Sequence, residues 1–458
     1  MSRLERLSVL DELFLHLEGP NTHMHVGGVG LFEGPPPDPD DVLSMVRARL
    51  HMVPRFRQKL ALVPWGVGRP VWVDDGHFNL EYHVRHAALP QPGDDAQLKR
   101  LVARIMSQQL DRSKPLWEIW LVEGLAPEGF ALISKTHHCL IDGISGADIM
   151  SVLLDVGAEP PAIEAQPWHP APEPSQEDLI VDALAERLTS PAELVRTIQT
   201  AAMDRHNVVN RVLESAKAVG TFIGNSFAAP PSSLNQPVGP HRRFETVLVE
   251  LDSFKRIKNS FGGTVNDVVL AVVTGGLRRL LEARRESVDG VQFRAMVPVS
   301  VRADQERGAL GNRLAALWAT LPVAEADPVA RLQNLHRVME DVKASDQAVG
   351  AQVLTTLSEY APPTILAQAA RLIARQRAFN LVVTNVPGPQ FPLYCLGRKM
   401  KEVYPVLPLS ENTTLGVALF SYNGSVGFGL LGDYDSASDI GVLAEGIEKS
   451  LAELMAAL

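Results

Sequence analysis

Residues 157–175, GAEPPAIEAQPWHPAPEPS, hold six prolines and few aliphatic residues. Proline lacks a backbone N–H and fixes φ, so this run reads as an extended linker rather than as part of a helix or sheet. Helix and strand signals alternate on both sides of it. A chain of 458 residues cut this way is expected to fold as two α/β lobes joined by a long crossover. The expected boundaries are 1–156 for the first lobe, 157–235 for the Pro-rich and helical crossover, and 236–458 for the second lobe.

In the first half, Asp38 followed by Pro39 marks a helix start, and Val42, Leu43, Val46 and Leu50 fall on one face behind it. Leu98, Leu101, Val102, Ile105 and Met106 repeat that spacing. LWEIWLVEGL and GFALISKTHH read as two strands joined by a turn near Pro127 and Gly129. In the second half, FETVLVEL, FRAMVPVSV, LAALWATLPV and NLVVTNVPG read as strands. TVNDVVLAVVTGGLRRLLEARR reads as a long helix. TTLGVALFSYNGSVGFGLLGDYD is a hairpin pattern with Asn423-Gly424 at the turn. A last helix carries Ile440, Leu443, Ala444, Ile447, Leu451 and Leu454 on one face.

The bulk properties exclude some function classes. A net charge of −10 argues against nucleic acid as a main partner, because phosphate binding needs a basic surface. Two cysteines, Cys139 and Cys395, give no disulfide framework and suit a reducing cytoplasm. No apolar run reaches the length of a spanning helix, so contact with a membrane would be peripheral.

The chemistry-bearing stretch is KTHHCLIDGISG, residues 135–146. A β-rich run ends at His137 and His138, and Ser145 with Asp148 has the S-x-x-D pattern of the next helix start. The histidines thus sit at a tight strand-to-helix connection, with Gly143 available for a positive φ. On the residues alone three readings stand: two hydrogen-bonded core histidines near a turn aspartate, a metal site, or a general base for a hydroxyl. The metal reading needs at least three converging ligands, and the sequence offers neither an HExxH helix nor a cysteine cluster. A neutral imidazole can take a proton and return it near cytoplasmic pH. Cys139 reads as a small buried thiol rather than a nucleophile.

HHCLIDG resembles the HHxxxDG signature of the coenzyme A-dependent acyltransferase superfamily, which includes chloramphenicol acetyltransferase and peptide-synthetase condensation domains. DRSKPLWEIWLVEGL, LNQPVGPHRRF, NDVVLAVVTGGLRRLL, the N-terminal LDELFLHLEGPNTHMHVGG, the GNR loop and VTNVPGP together resemble the bacterial wax ester synthase/diacylglycerol acyltransferase family, in order and along essentially the whole chain. The resemblance implies an α/β (α+β) fold of two chloramphenicol acetyltransferase-like lobes with an active-site tunnel between them. It implies transfer of a long acyl group from acyl-CoA, a substrate rather than a cofactor, to diacylglycerol or a fatty alcohol. Neither a metal nor a prosthetic group is expected.

Residue by residue, the resemblance makes His138 the catalytic base, with His137, Asp142 and Gly143 supporting it. Asn266 matches the ND block and is a candidate to face the cleft, whereas Asp267 forms a T-x-x-D cap with Thr264 and reads as structural. Pro115, Leu116 and Trp117 read as packing and tunnel wall. A cytoplasmic chain attached peripherally to a membrane or lipid droplet is expected. Its candidate contacts are AELVRTIQTAAM and the uncharged AVGTFIGNSFAAPP. The competing expectations are a condensation-type acyltransferase using carrier-protein thioesters and a non-catalytic acyl-lipid-binding protein on the same scaffold.

Overall fold

The structure, a computed structural model, describes residues 4–140, 153–185, 229–300, 314–344 and 379–458. In the first half the elements run α1 (Val9–Leu17), β1 (His25–Glu33), α2 (Pro39–Arg49), β2 (Gln58–Ala61), β3 (Val71–Asp74), α3 (Leu80–His83), β4 (Val84–Ala88), α4 (Asp95–Met106), β5 (Trp117–Leu125) and β6 (Gly129–His137). Asp38 caps α2 with Pro39 in its first turn, as the sequence implies. Asp94 and Gln97 form a reciprocal capping box on α4, whose Leu98, Val102, Ile105 and Met106 are buried.

Residues 160–175 carry neither helix nor strand, in keeping with an extended linker. The linker runs beside β2 and β3: the Ala171 N–H donates to Asp74 at 2.9 Å, and Lys59 pairs with Glu173 at 3.0 Å. A helical run, α5, occupies 176–185.

The second half continues with β7 (Arg242–Glu250), α6 (Leu251–Phe261), α7 (Val265–Ala283), β8 (Phe293–Ser300), β9 (Leu314–Leu321), α8 (Pro328–Ala344), β10 (Leu381–Pro387), β11 (Tyr394–Cys395), β12 (Arg398–Val406), β13 (Leu415–Tyr422), β14 (Ser425–Asp433) and α9 (Ile440–Ala456). Asn423 (φ 44°) and Gly424 (φ 85°) make the primed turn that their sequence requires between β13 and β14. Helix α7 is apolar all round from Val268 to Val273, and those residues are buried among β8, β10, β13 and β14 on one side and α8 and α9 on the other.

Two six-stranded sheets result, in the orders β11-β12-β1-β6-β5-β4 and β7-β14-β13-β10-β8-β9. The sheets do not follow chain order. Residues 394–406 come from the stretch expected to build the second lobe, yet β12 pairs antiparallel with β1 (Gly27 opposite Val406, Val29 opposite Tyr404) and completes the first sheet. The halves are therefore tied by a strand exchange as well as by the Pro-rich crossover. Where the sheets meet, β14 presents Gly427 and Gly429 to β12. A Cβ on either would lie 2.0 Å from the Val403 carbonyl oxygen or 1.8 Å from that of Pro405, so the approach requires glycine at both positions.

Candidate active site

Strand β6 ends at His137, and a single 3-10 turn, His138–Leu140, follows. β6 lies between β1 and β5, so its end is held from both sides: His25 stands opposite His137 on β1, and the His137 N–H donates to the Leu116 carbonyl at 2.9 Å. The His138 N–H donates to the Met24 carbonyl at 2.7 Å. The two imidazoles have different surroundings. His137 is fully buried, whereas His138 is half-buried. The His138 ring stacks on Phe14 of α1, centroids 3.8 Å apart.

The segment from α1 into β1 forms a wall around this turn. Glu18 is the residue after α1, and its side chain is 1% exposed. Its Oε2 lies 3.6 Å from His137 Nε2, and its Oε1 lies 3.6 Å from His25 Nε2 and 3.8 Å from His23 Nδ1. Arg112 closes on the same carboxylate, with Nε 2.8 Å from Oε2 and Nη2 also in contact, and anchors itself to the Leu15 carbonyl at 3.0 Å. Burial alone would raise the Glu18 carboxyl, but His137 and Arg112 outweigh it and hold it at about 2. Glu18 is thus an anion at the centre of three imidazoles and a guanidinium.

The tautomer of His137 follows from its neighbours. Its Nδ1 accepts the Cys139 N–H at 3.2 Å, which leaves Nε2 to carry a ring proton toward Glu18. The Cys139 thiol sits 3.0 Å from the same Nδ1, and burial pushes its pKa well up. That environment suits a packed thiol and not a nucleophile. Burial likewise lowers His25 well below the usual imidazole range, helped by the charge on Lys135. Lys135, also fully buried, donates to the carbonyls of Ile105 (2.9 Å) and Gln108 (2.5 Å) at the C-terminal end of α4. Burial lowers its ammonium to about 8. Among the described residues, no group of three or more His, Cys, Asp or Glu side chains stands in an arrangement that could hold a metal ion.

The remaining expected site residues fall in different places. Asp142 and Gly143 lie outside the described residues, as do Ser145, Asp148, the GNR loop and AELVRTIQTAAM. Asn266 is half-buried in the first turn of α7 in the second lobe. Asp267 has the structural role its pattern implies: its carboxylate accepts the Thr264 N–H at 2.8 Å and contacts His336 Nδ1 at 2.9 Å. Leu116 and Trp117 are buried packing residues. The Trp117 indole donates to the Phe56 carbonyl at 2.8 Å and stacks on Phe56 and His83. Sequence reasoning did not single out Glu18, Arg112 or His25. Glu18 and His25 lie within LDELFLHLEGPNTHMHVGG and Arg112 opens RSKPLW, but neither stretch shows that they converge.

Comparison with known proteins identifies the family. The family model of the wax ester synthase/diacylglycerol acyltransferase catalytic domain matches residues 7–269, and that of the WS/DGAT C-terminal domain matches 310–455. The probable diacylglycerol O-acyltransferase tgs1 of Mycobacterium tuberculosis is 34% identical over 99% of this chain and 96% of its own length. The solved wax ester synthase/diacylglycerol acyltransferase from Marinobacter aquaeolei VT8 superposes with a TM-score of 0.67 at 31% identity, covering 98% of each chain. A starter condensation domain of rhizomide synthetase shares the fold, with a TM-score of 0.59 and 14% identity over 99% of this chain and 95% of its own. Two family models in chain order and full-length relatives above 30% identity agree with the two-lobed fold: the chain belongs to the wax ester synthase/diacylglycerol acyltransferase family.

Proposed function

We propose that this enzyme moves a long-chain acyl group from acyl-CoA to the hydroxyl of a diacylglycerol or a long-chain alcohol, with His138 as general base. The observation that carries the reading is the different setting of the two histidines. His137 is sealed beneath the turn against Glu18, while His138 is half-buried, with its backbone N–H on the Met24 carbonyl and its ring stacked on Phe14. A histidine used for proton transfer needs a fixed ring and access to its substrate.

The step asks little more of the chain. A thioester is already activated, and a thiolate leaves readily. His138 takes the acceptor's proton as the acceptor oxygen attacks the thioester carbonyl. The tetrahedral intermediate collapses with C–S cleavage, and His138 returns the proton to the departing sulfur. The buried Glu18–His137 pair beneath the turn holds its shape through the cycle. The acceptor resides in lipid, so the enzyme is proposed to work from the cytoplasm at a membrane or lipid-droplet surface. No described helix is by itself long and apolar enough to cross a membrane.

The test is labelled palmitoyl-CoA offered to the wild-type chain with dipalmitoylglycerol and hexadecanol side by side, without any carrier protein. Triacylglycerol or wax ester must appear, and His138→Ala must suppress both. Labelled product from neither acceptor would sink the proposal.

A further inference from the structure

We propose that the β2–β3 hairpin is the surface that seats this chain on an anionic phospholipid membrane, with Leu62 and Trp65 entering the lipid interface. The proposal rests on the acyl-transfer reading for the reason to visit lipid, and on the hairpin itself for the place of contact. The loop LVPWGVGRP, residues 62–70, joins the two strands. Leu62 is 72% exposed and Trp65 84%, among the most exposed of the large apolar residues described. Their loop neighbours turn the other way: Val63 is buried and Val67 half-buried, packed with Val71, Val73, and Leu179 and Ala183 of α5. The loop is therefore pinned from beneath while it displays two large apolar side chains.

The backbone fixes that display. Trp65 has φ 55° and Gly66 φ 64°, and the Gly66 N–H closes the turn on the Val63 carbonyl at 3.2 Å. A positive φ is natural for glycine but uncommon for a bulky residue. In water, this turn carries an unfavourable backbone conformation and an unburied indole together. A lipid headgroup layer removes the second, because an indole with an apolar body and one N–H suits the boundary between acyl chains and water.

Charge selects the kind of surface. The hairpin, residues 54–74, contains Arg55, Arg57, Lys59 and Arg69 against one acidic residue, Asp74, in a chain of net charge −10. Arg55 pairs with Glu5 and Lys59 with Glu173, but these counter-ions come from other segments and are 65% and 56% exposed. Such pairs are weak and can give way to lipid phosphates. An anionic membrane would attract this hairpin and repel much of the remaining surface, which orients the chain as well as binding it.

The experiment is flotation of the full chain with vesicles of phosphatidylcholine containing phosphatidylglycerol. It runs beside turnover of palmitoyl-CoA on detergent-dispersed hexadecanol. Wild type should float, and less well on phosphatidylcholine alone. The double variant Leu62→Ser/Trp65→Ser should lose about tenfold or more in bound fraction, with detergent turnover and unfolding midpoint as in wild type. Trp65→Phe should keep most of the binding. Flotation of the double variant equal to wild type, or a wild type that stays in the soluble fraction, overturns the proposal. Equal flotation on both vesicles overturns its anionic-lipid assignment. Absence of turnover in detergent would instead count against the acyl-transfer reading, and leaves the flotation result to be judged by itself.

Discussion

Glu18 Oε2 and His137 Nε2 face each other at 3.6 Å, both side chains 1% exposed, directly beneath the turn that carries His138. The carboxylate stays ionised there because Arg112 and His137 stabilise it against its burial. With His138 as the proposed base, Glu18 would act on it at one remove, through His137, as a positioning residue. Glu18→Gln should lower kcat by about ten- to hundredfold, the range in which small misplacements of a reacting group are felt. KM for palmitoyl-CoA should stay within about twofold, since the substitution removes nothing that binds substrate directly. Steady-state kinetics on the folded fraction checks this. A variant with wild-type kcat and a reduced unfolding midpoint would make Glu18 purely structural.

His138→Ala should cost about a hundred- to ten-thousand-fold in turnover, the usual worth of a positioned general base. The fold should tolerate it, because the His138 backbone contact to Met24 survives and the lost ring is half-buried on Phe14. Circular dichroism and turnover on one preparation test both parts. A well-folded variant with near-normal rates removes His138 from the mechanism.

The elements read correctly from sequence are those with a local cause. Asp38–Pro39 starts α2, Asn423-Gly424 turns β13 into β14, and Thr264 with Asp267 caps α7. The histidine pair at the end of β6 was legible for the same reason, since a β-rich run stops there. What sequence could not show depends on distant parts of the chain. Nothing in RKMKEVYPV says that β12 leaves the second half to pair with β1. The glutamate below His137 is contributed from 119 positions earlier, by a residue whose local setting is an ordinary helix end. Convergence of that kind comes from β1 lying beside β6, which is a property of the sheet and not of either strand.

Asp267→Ala should destabilise the second lobe by about 1–3 kcal/mol, because it strips partners from the Thr264 N–H and from His336 in a nearly buried site. Asp267→Asn should cost less, as it keeps an acceptor for the helix start. Denaturant unfolding of the two variants measures the difference. An alanine variant of undiminished stability would contradict the capping role.

Gly429→Ala should be far more damaging than a surface substitution. Its Cβ would stand 1.8 Å from the Pro405 carbonyl oxygen, on a backbone that pairs with β1 and cannot step aside alone. The cost should reach about 3 kcal/mol or more, at the upper end of overpacking effects. Gly424→Ala offers a contrast: nothing lies within 4 Å of its added Cβ, and its penalty comes from φ 85° alone. Thermal unfolding should therefore rank wild type above Gly424→Ala, and Gly424→Ala above Gly429→Ala. The reverse order of the two variants would mean that the sheets do not meet as closely as the glycines imply.

Stability should fall as pH drops below neutrality, and His83 is one identifiable cause. Its ring is 1% exposed, stacked on Trp117 at 4.6 Å between centroids, with Nδ1 2.8 Å from the Trp117 carbonyl oxygen. Burial lowers its pKa from 6.5 to about 4, against the smaller opposing pull of that carbonyl. Between those values the unfolded chain binds a proton that the folded chain refuses, so unfolding takes up protons and stability rises with pH. The contribution is complete above about pH 6.5 and declines as pH falls toward 4, by up to about 3 kcal/mol if this group acts alone. Glu18 adds little in that window, because its depressed carboxyl loses stability mainly from pH 4.5 down toward 2. His83→Gln removes the titration and keeps a donor for the Trp117 carbonyl. It should flatten the pH dependence of unfolding free energy between pH 4 and 6.5 by about one proton's worth of slope. The remaining slope belongs in part to His23 and His25, both lowered chiefly by burial. An unchanged slope in His83→Gln would show that His83 is protonated as readily in the folded chain as in the unfolded one.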